Sequence, residues 1–577
     1  MGVVAFLSLF LLIPLTSFAP GFFVVRRMRR WHPLEVLAVS LAASIVFIYL
    51  VAFAIYSTGA PWGVAWAFTG VSALALVVSW QDARRLFAVP QVARVLRLFI
   101  ALFVWNLVML AVIRNYMGGF WGPDWYEHYE RALFFVERRP LLYQFIDIYL
   151  LPARPPLMNL YSAFFLAQTS TQFANYQLTF AFLNLLPFVP LVLLSRLLVR
   201  GATRHAGLLA AVLACNPMFL HNAQFTWTKG ATSFFVALAL WFYITGWRRQ
   251  EWRRMSIAFL SLTAGTLVHY SGGPYVLVIG LHYGLWVFWS RRERLKEFVA
   301  VTLPSAALLG TWLLYSLWVY GVTDTFASNT SVGDAQKMGL SENLSKVGAN
   351  IVDTLVPAVM RGYWVDRDDD TFRRVIDNLF YLYQVNLPFA LGLGGCVVVL
   401  FLIVRGLART RTAAATPAGE RVFWPLFAVL AAGLGITAHG ARDHYGLAHI
   451  GLQPLVHVGL ACLAVSLPTI SRTLRGVVLA GLAADFVLGI AIHVYAETSL
   501  ESWATDYNLE VKTKSGVVFL GDWMPALTLP LQWIMWALFA ALLVRVYRTL
   551  DRLPDVDTWT GGPRAELDRG SSPHVAS

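Results

Sequence analysis

Charge is scarce in this chain. Only 13% of its 577 residues are Asp, Glu, Lys or Arg, against about a quarter in a soluble protein, and no polar block is long enough to house a soluble domain. Cysteine is scarcer still. Cys215, Cys396 and Cys462 each fall inside an apolar run without ligand spacing, so no disulfide framework is implied. The signatures of soluble enzymes are missing too: no Walker loop, no HExxH and no GxSxG elbow occurs. No internal repeat stands out, which weighs against a transporter built from duplicated halves.

What is present is oil. Hydrophobic residues make up 58% of the chain, and mean hydropathy is +0.60. Apolar runs of roughly 20 residues recur, each enough to cross about 30 Å of hydrocarbon. They predict an all-α polytopic membrane protein with roughly 15 transmembrane helices. The spans lie near 2–25, 34–57, 61–80, 98–114, 176–199, 206–220, 231–247, 255–270, 272–290, 299–320, 387–405, 423–438, 446–467, 474–494 and 527–547. The net charge of +13 comes from short basic clusters between these runs, which speaks for topology rather than nucleic acid. The first run has no basic start and ends in Arg26-Arg27-Met28-Arg29-Arg30, which suits a retained helix with its amino terminus outside. Alternating the spans from there puts every later basic cluster inside, from Arg196/Arg200/Arg204 to Arg545/Arg548/Arg552, as the positive-inside bias requires.

Three large segments then face outside: 115–175, 321–386 and 496–526. In the first, Leu141–Leu151 and Pro155–Ala167 are amphipathic or too short to cross, which predicts helices lying along the interface. The second is rich in Asp (Asp324, Asp334, Asp353, Asp366, Asp368–Asp370) and holds Arg361, Arg367, Arg373 and Arg374. The tail, 548–577, is polar and reads as disordered and cytoplasmic.

Chemistry concentrates in the first outer segment, at Trp121-Gly-Pro-Asp124-Trp125-Tyr126-Glu127-His128. If this block is helical, Asp124, Glu127 and His128 share one face. Two carboxylates and an imidazole there suit a divalent cation or a general base. An interfacial helix turning polar residues to water, with Trp121, Trp125, Tyr126 and Tyr129 as an aromatic belt, accounts for the same pattern. Further along, His439-Gly-Ala-Arg442-Asp443-His444 and His449 occupy a late outer turn. Arg442 with His444 suits a phosphate, and Asp443 suits a partner for Arg442. Lys229, at the outer end of a span, is a phosphate partner or a lysine snorkelling to the headgroups. His269 lies where His269-Tyr-Ser-Gly-Gly-Pro274 breaks two helices, and irregular backbone at that depth must line protein or a wet cavity.

Four features in this order resemble the GT-C superfamily of integral-membrane glycosyltransferases, in particular bacterial relatives of the protein O-mannosyltransferase and aminoarabinose transferase group. They are Asp124 opening the first outer loop, Arg154-Pro155-Pro156-Leu157, the helix break at His269–Pro274, and the late turn bearing Arg442. The resemblance covers roughly 98–470. It implies a GT-C-like core over 98–320 with its catalytic loop at 115–175, preceded by added amino-terminal helices (1–97). The outer loop 321–386 and carboxy-terminal helices over 387–547 complete it. It also implies a polyprenyl-phosphate-linked sugar donor in the membrane and a glycan, lipid or protein acceptor, with no nucleic acid. Asp124 would be the general base, helped by Glu127 or His128. Arg442, His444, Lys229 and His269 would hold the donor phosphate. The site would face outside a prokaryotic inner membrane. The chain departs from the pattern in lacking a second acidic residue between His221 and Lys229, which leaves a divalent metal on Asp124, Glu127 and His128 open. A polysaccharide polymerase or ligase, a lipid transporter or flippase, and a non-catalytic assembly protein are the competing readings.

Overall fold

The computed structural model describes residues 2–28, 31–116, 124–198, 205–329, 334, 337–364, 371–400, 418–498 and 506–551. Trp121, several members of the basic clusters (Arg29, Arg30, Arg200, Arg204, Arg405, Arg409, Arg411), Asp366–Asp370 and the tail beyond 551 lie outside them.

The described chain is helical, with one isolated β-bridge between Phe145 and Tyr149. The helices in order are α1 (Gly2–Val25), α2 (Pro33–Thr58), α3 (Val64–Val78), α4 (Trp80–Ala88), α5 (Pro90–Leu110), α6 (Asp124–Glu137), α7 (Leu157–Leu166), α8 (Phe173–Leu185), α9 (Phe188–Leu198), α10 (Ala206–Cys215), α11 (Pro217–Gln224), α12 (Lys229–Arg249), α13 (Trp252–Val268), α14 (Gly273–His282) and α15 (Arg294–Ala327). After these come α16 (Leu340–Leu355), α17 (Thr371–Val385), α18 (Ala418–Thr437), α19 (Gln453–Ser466), α20 (Arg472–Phe486) and α21 (Thr528–Asp551), with short helical turns between.

Helical segments fall on each of the 15 apolar stretches. Among the described residues, however, eight helices are long and apolar enough to cross a membrane, or up to ten if each bent pair counts as one span. Two of the runs are bent pairs rather than straight helices. α3 meets α4 at 70° and α10 meets α11 at 71°, the second bend sitting where Asn216 caps α11 and Pro217 fills its first position. The chain is an integral, multi-pass membrane protein.

The first of the two expected interfacial helices needs correction. Residues 141–150 form turns, because the buried Arg131 guanidinium gathers the segment: it donates to the carbonyls of Leu151 (2.9 Å) and Leu150 (3.3 Å) and lies 4.2 Å from the Phe145 ring. The Pro155–Ala167 stretch is helical, as α7, but every residue of α7 is buried. It packs against α2, α6 and α8. α1 and α2 likewise pack on α8 and α7, so the amino-terminal helices belong to the same body.

α12 carries the architecture. It packs against α13, α9, α19 and α8, and its 21 residues span about 30 Å. At its far end a buried ion pair ties three helices: Glu35 of α2 accepts from Arg254 of α13 at 2.8 Å through both oxygens. Trp241 of α12 donates to the same carboxylate at 2.8 Å. Basic residues collect around it: Arg291 donates to the Gly246 carbonyl at 3.4 Å, and Lys296 lies 5.1 Å from the Trp252 ring. Lys229 opens the other end.

Candidate active site

α6 is a helix, so Asp124, Glu127 and His128 share one face of it. The surroundings then separate the three. Asp124 is half-buried and accepts from the indole Nε1 of Trp227 at 3.2 Å. Burial pushes its carboxyl above the usual range, against the pull of Lys229 and Arg154. Glu127 is fully buried and paired with Arg131 at 2.8 Å, with Arg154 at 3.7 Å. His128 is buried, and burial first, then Arg154, Arg131 and Lys229, hold its imidazole well below its ordinary value. It is neutral at physiological pH.

Lys229 reaches this face through a turn set by its sequence. Thr226 adopts φ 59°, in the left-handed region. Asn184 clamps both sides of that turn, donating to the carbonyls of Asn222 (2.7 Å) and Trp227 (2.6 Å) while accepting from the Ala231 amide at 2.9 Å. A Cβ on Gly230 would stand 2.7 Å from the Asn184 Oδ1, so glycine permits this approach. The Lys229 ammonium then lies 4.7 Å from the Trp227 ring, and makes no ion pair within 4 Å among the described residues.

His269 arrives from the break after α13. Its Nδ1 accepts from the Ser271 amide at 3.1 Å, and Tyr270 donates to the Pro152 carbonyl at 2.9 Å, fastening the break to the turn before Arg154. Gly272 packs so closely that a Cβ would meet Thr266 N at 3.0 Å. Lys229, Arg154 and His128 all lie within electrostatic reach of His269. His449 joins them from the turn before α19, its ring 5.9 Å from that of Trp227.

Asp124, His128, Lys229 and His269 are therefore brought together. Arg442 and His444 are engaged elsewhere: Arg442 Nε pairs with Asp353 at 3.3 Å, and the His444 ring stacks on Tyr363 at 4.9 Å. Among the described residues, neither makes a hydrogen bond, ion pair or ring contact with the Asp124 group. The cation that takes that place is Arg154, 17% exposed at its side chain. Trp227 and His449 complete the set.

Several buried polar atoms here have no hydrogen-bond partner among the described residues: Glu127 Oε2, His128 Nδ1, Arg154 Nε, Thr228 Oγ1 and Ser271 Oγ. Such atoms are costly unless something else meets them. No group of three His, Cys, Asp or Glu suited to a divalent metal occurs among the described residues, and Arg131 and Arg154 already neutralise Glu127. Two cations flanking a carboxylate suit an anionic ligand better.

No family model and no curated protein matches the chain. Solved structures are similar to it, among them two of ArnT from Cupriavidus metallidurans. The crystal structure bound to undecaprenyl phosphate has a TM-score of 0.45, with 14% identity over 79% of this chain and 73% of that one. The apo crystal structure has a TM-score of 0.42, with 14% identity over 79% and 76%.

Proposed function

We propose that this chain is a GT-C-type glycosyltransferase that moves a sugar from a polyprenyl-phosphate donor to an acceptor hydroxyl at the outer face of the membrane, with inversion. The observation that carries the reading is one half-buried carboxylate, Asp124, flanked by Lys229 and Arg154 amid buried polar atoms that lack partners.

Asp124 takes the proton of the acceptor hydroxyl as that oxygen bonds to the anomeric carbon. The bond from that carbon to the phosphate oxygen breaks on the opposite face, and inversion follows from the in-line geometry, as in inverting glycosidases. The leaving polyprenyl phosphate keeps the electron pair. Arg154 and Lys229 stabilise its charge, so it departs without being protonated. Neutral His128 and His269 donate hydrogen bonds without adding charge beside the base. Burial raises the basicity of Asp124, and the cations keep it ionised enough to act. The basic clusters belong to the far side of the membrane by the positive-inside bias, which supports a reaction outside the cell.

The test is incubation of the purified protein with labelled polyprenyl-phosphate sugars, scoring release of polyprenyl phosphate and the anomeric configuration of the product. Release with inversion supports the reading. Retention of configuration removes Asp124 as a base acting opposite the phosphate, and no turnover across the panel removes the donor class.

A further inference from the structure

α16, in the second large segment between spans, is amphipathic in an inverted sense. Its polar side chains Lys346, Asn350, Asp353 and Thr354 are buried, all at 6% exposure or less. Its apolar ones are in the open: Leu340 is 79% exposed, Leu344 64%, Ile351 40% and Leu355 49%. At about 100° per residue the four apolar positions fall within an arc of roughly 60°, and the buried polar group is turned roughly 120° from it. An exposed apolar stripe on a helix anchored by its polar face calls for an apolar partner.

The neighbouring surface identifies that partner as lipid. Exposed apolar side chains also precede and follow α16 in the chain. Upstream, the last turns of α15 expose Trp318, Val322 and Phe326; downstream, Met360, Tyr363, Trp364 and Phe372 are exposed as well. Where the stripe ends, the residue types change to those of the headgroup layer. Arg361 and Arg442 both pair with the buried Asp353, and both guanidinium groups lie over the Tyr363 ring, at 5.4 and 6.0 Å. The side chain of Arg442 remains 42% exposed.

We infer that α16 and the turn after it form a bilayer-contact surface, seated in the leaflet at the active-site end of the bundle, with Arg442, Tyr363 and His444 at headgroup level. The inference goes beyond the transferase reading and does not depend on it. It also gives the buried polar face of α16 a task. Asn350 accepts from the Asp443 amide at 2.8 Å and donates to the Ala441 carbonyl at 3.0 Å, and Thr354 accepts from the Leu447 amide at 3.0 Å. Gly446, at φ 121°, admits the close pass, since a Cβ would meet the Val385 carbonyl at 2.7 Å. A helix held by lipid thus steadies the turn that delivers His449 to Trp227.

The experiment places a nitroxide on Leu344→Cys, Ile351→Cys, Leu355→Cys and, as a water-side control, Glu342→Cys. The full chain is used in phosphatidylcholine–phosphatidylglycerol vesicles, and the labelled native chain gives the background of its three buried or half-buried cysteines. Collisions with oxygen should exceed those with a water-soluble nickel chelate at 344, 351 and 355, and the order should reverse at 342. Nickel-dominated collisions at the three apolar sites would overturn the inference. So would labels immobilised and shielded from both reagents, because a second copy or another protein would then cover the stripe.

Discussion

Two groups of buried charges sit at opposite ends of α12, and they are built differently. At one end every polar atom of the Glu35 carboxylate is met: Arg254 and Trp241 serve Oε1, and Arg254 and the His32 amide serve Oε2. Arg254 also donates to Glu251 and Thr245. At the other end Asp124, Glu127, His128, Arg154 and Lys229 are gathered with several atoms left over. The first is a closed device that joins α2, α12 and α13. The second leaves polar atoms without partners among the described residues, which is the feature the proposed donor phosphate would meet. Burial alone does not distinguish structural from functional charge.

The contrast between the two ends can be broken by exchanging their behaviours. Asp124→Asn is expected to lower turnover by about 10²–10⁴-fold, the usual worth of a general base, with insertion and unfolding temperature nearly unchanged. Glu35→Ala should do the reverse, costing about 3–5 kcal/mol by stripping the buried Arg254 of its two-oxygen partner, while each folded molecule keeps its turnover. Thermal unfolding in detergent alongside a transfer assay reads both. If Glu35→Ala also abolished turnover per folded molecule, the division into structural and functional ends would fail.

Smaller effects sharpen it. Arg154→Gln is expected to cost about 10²-fold in kcat, the scale of one lost charge-stabilising donor, whereas Arg442→Gln should change kcat little, since Asp353 holds that side chain away. The pH profile carries a sign. The base works ionised, and burial raises the pKa of Asp124, so activity should fall on acidification at a higher pH than the ordinary Asp value of about 3.9. Removing the Arg154 charge should move that acid limb further up, because the cation favours the ionised form. Last, Tyr270→Phe removes one hydrogen bond to Pro152 and should cost about 1 kcal/mol.

Much of this was legible in the amino-acid order. Apolar runs placed the helices, and the change of composition after the fourth run pointed to Asp124. Lys229 and His269 were visible as polar interruptions at span ends. Arg154 was seen only as part of a proline motif, because nothing local shows that it comes within 3.7 Å of Glu127. Arg442 looked like a phosphate ligand because its partner, Asp353, lies 89 positions away among other acidic residues. The 141–151 stretch looked amphipathic, but the Arg131 guanidinium folds it into turns. For α16 the residue order does not say which face is buried, so its inversion appears only in the structure.

The most direct test is thermal unfolding of the protein in detergent with and without polyprenyl monophosphate, on the native chain, on Glu35→Ala and on the double variant Arg154→Gln/Lys229→Met. The native chain and Glu35→Ala should each gain stability from the lipid phosphate, and the double variant should gain none. No gain in the native chain, or an equal gain in the double variant, would contradict the claim that these cations await a phosphate.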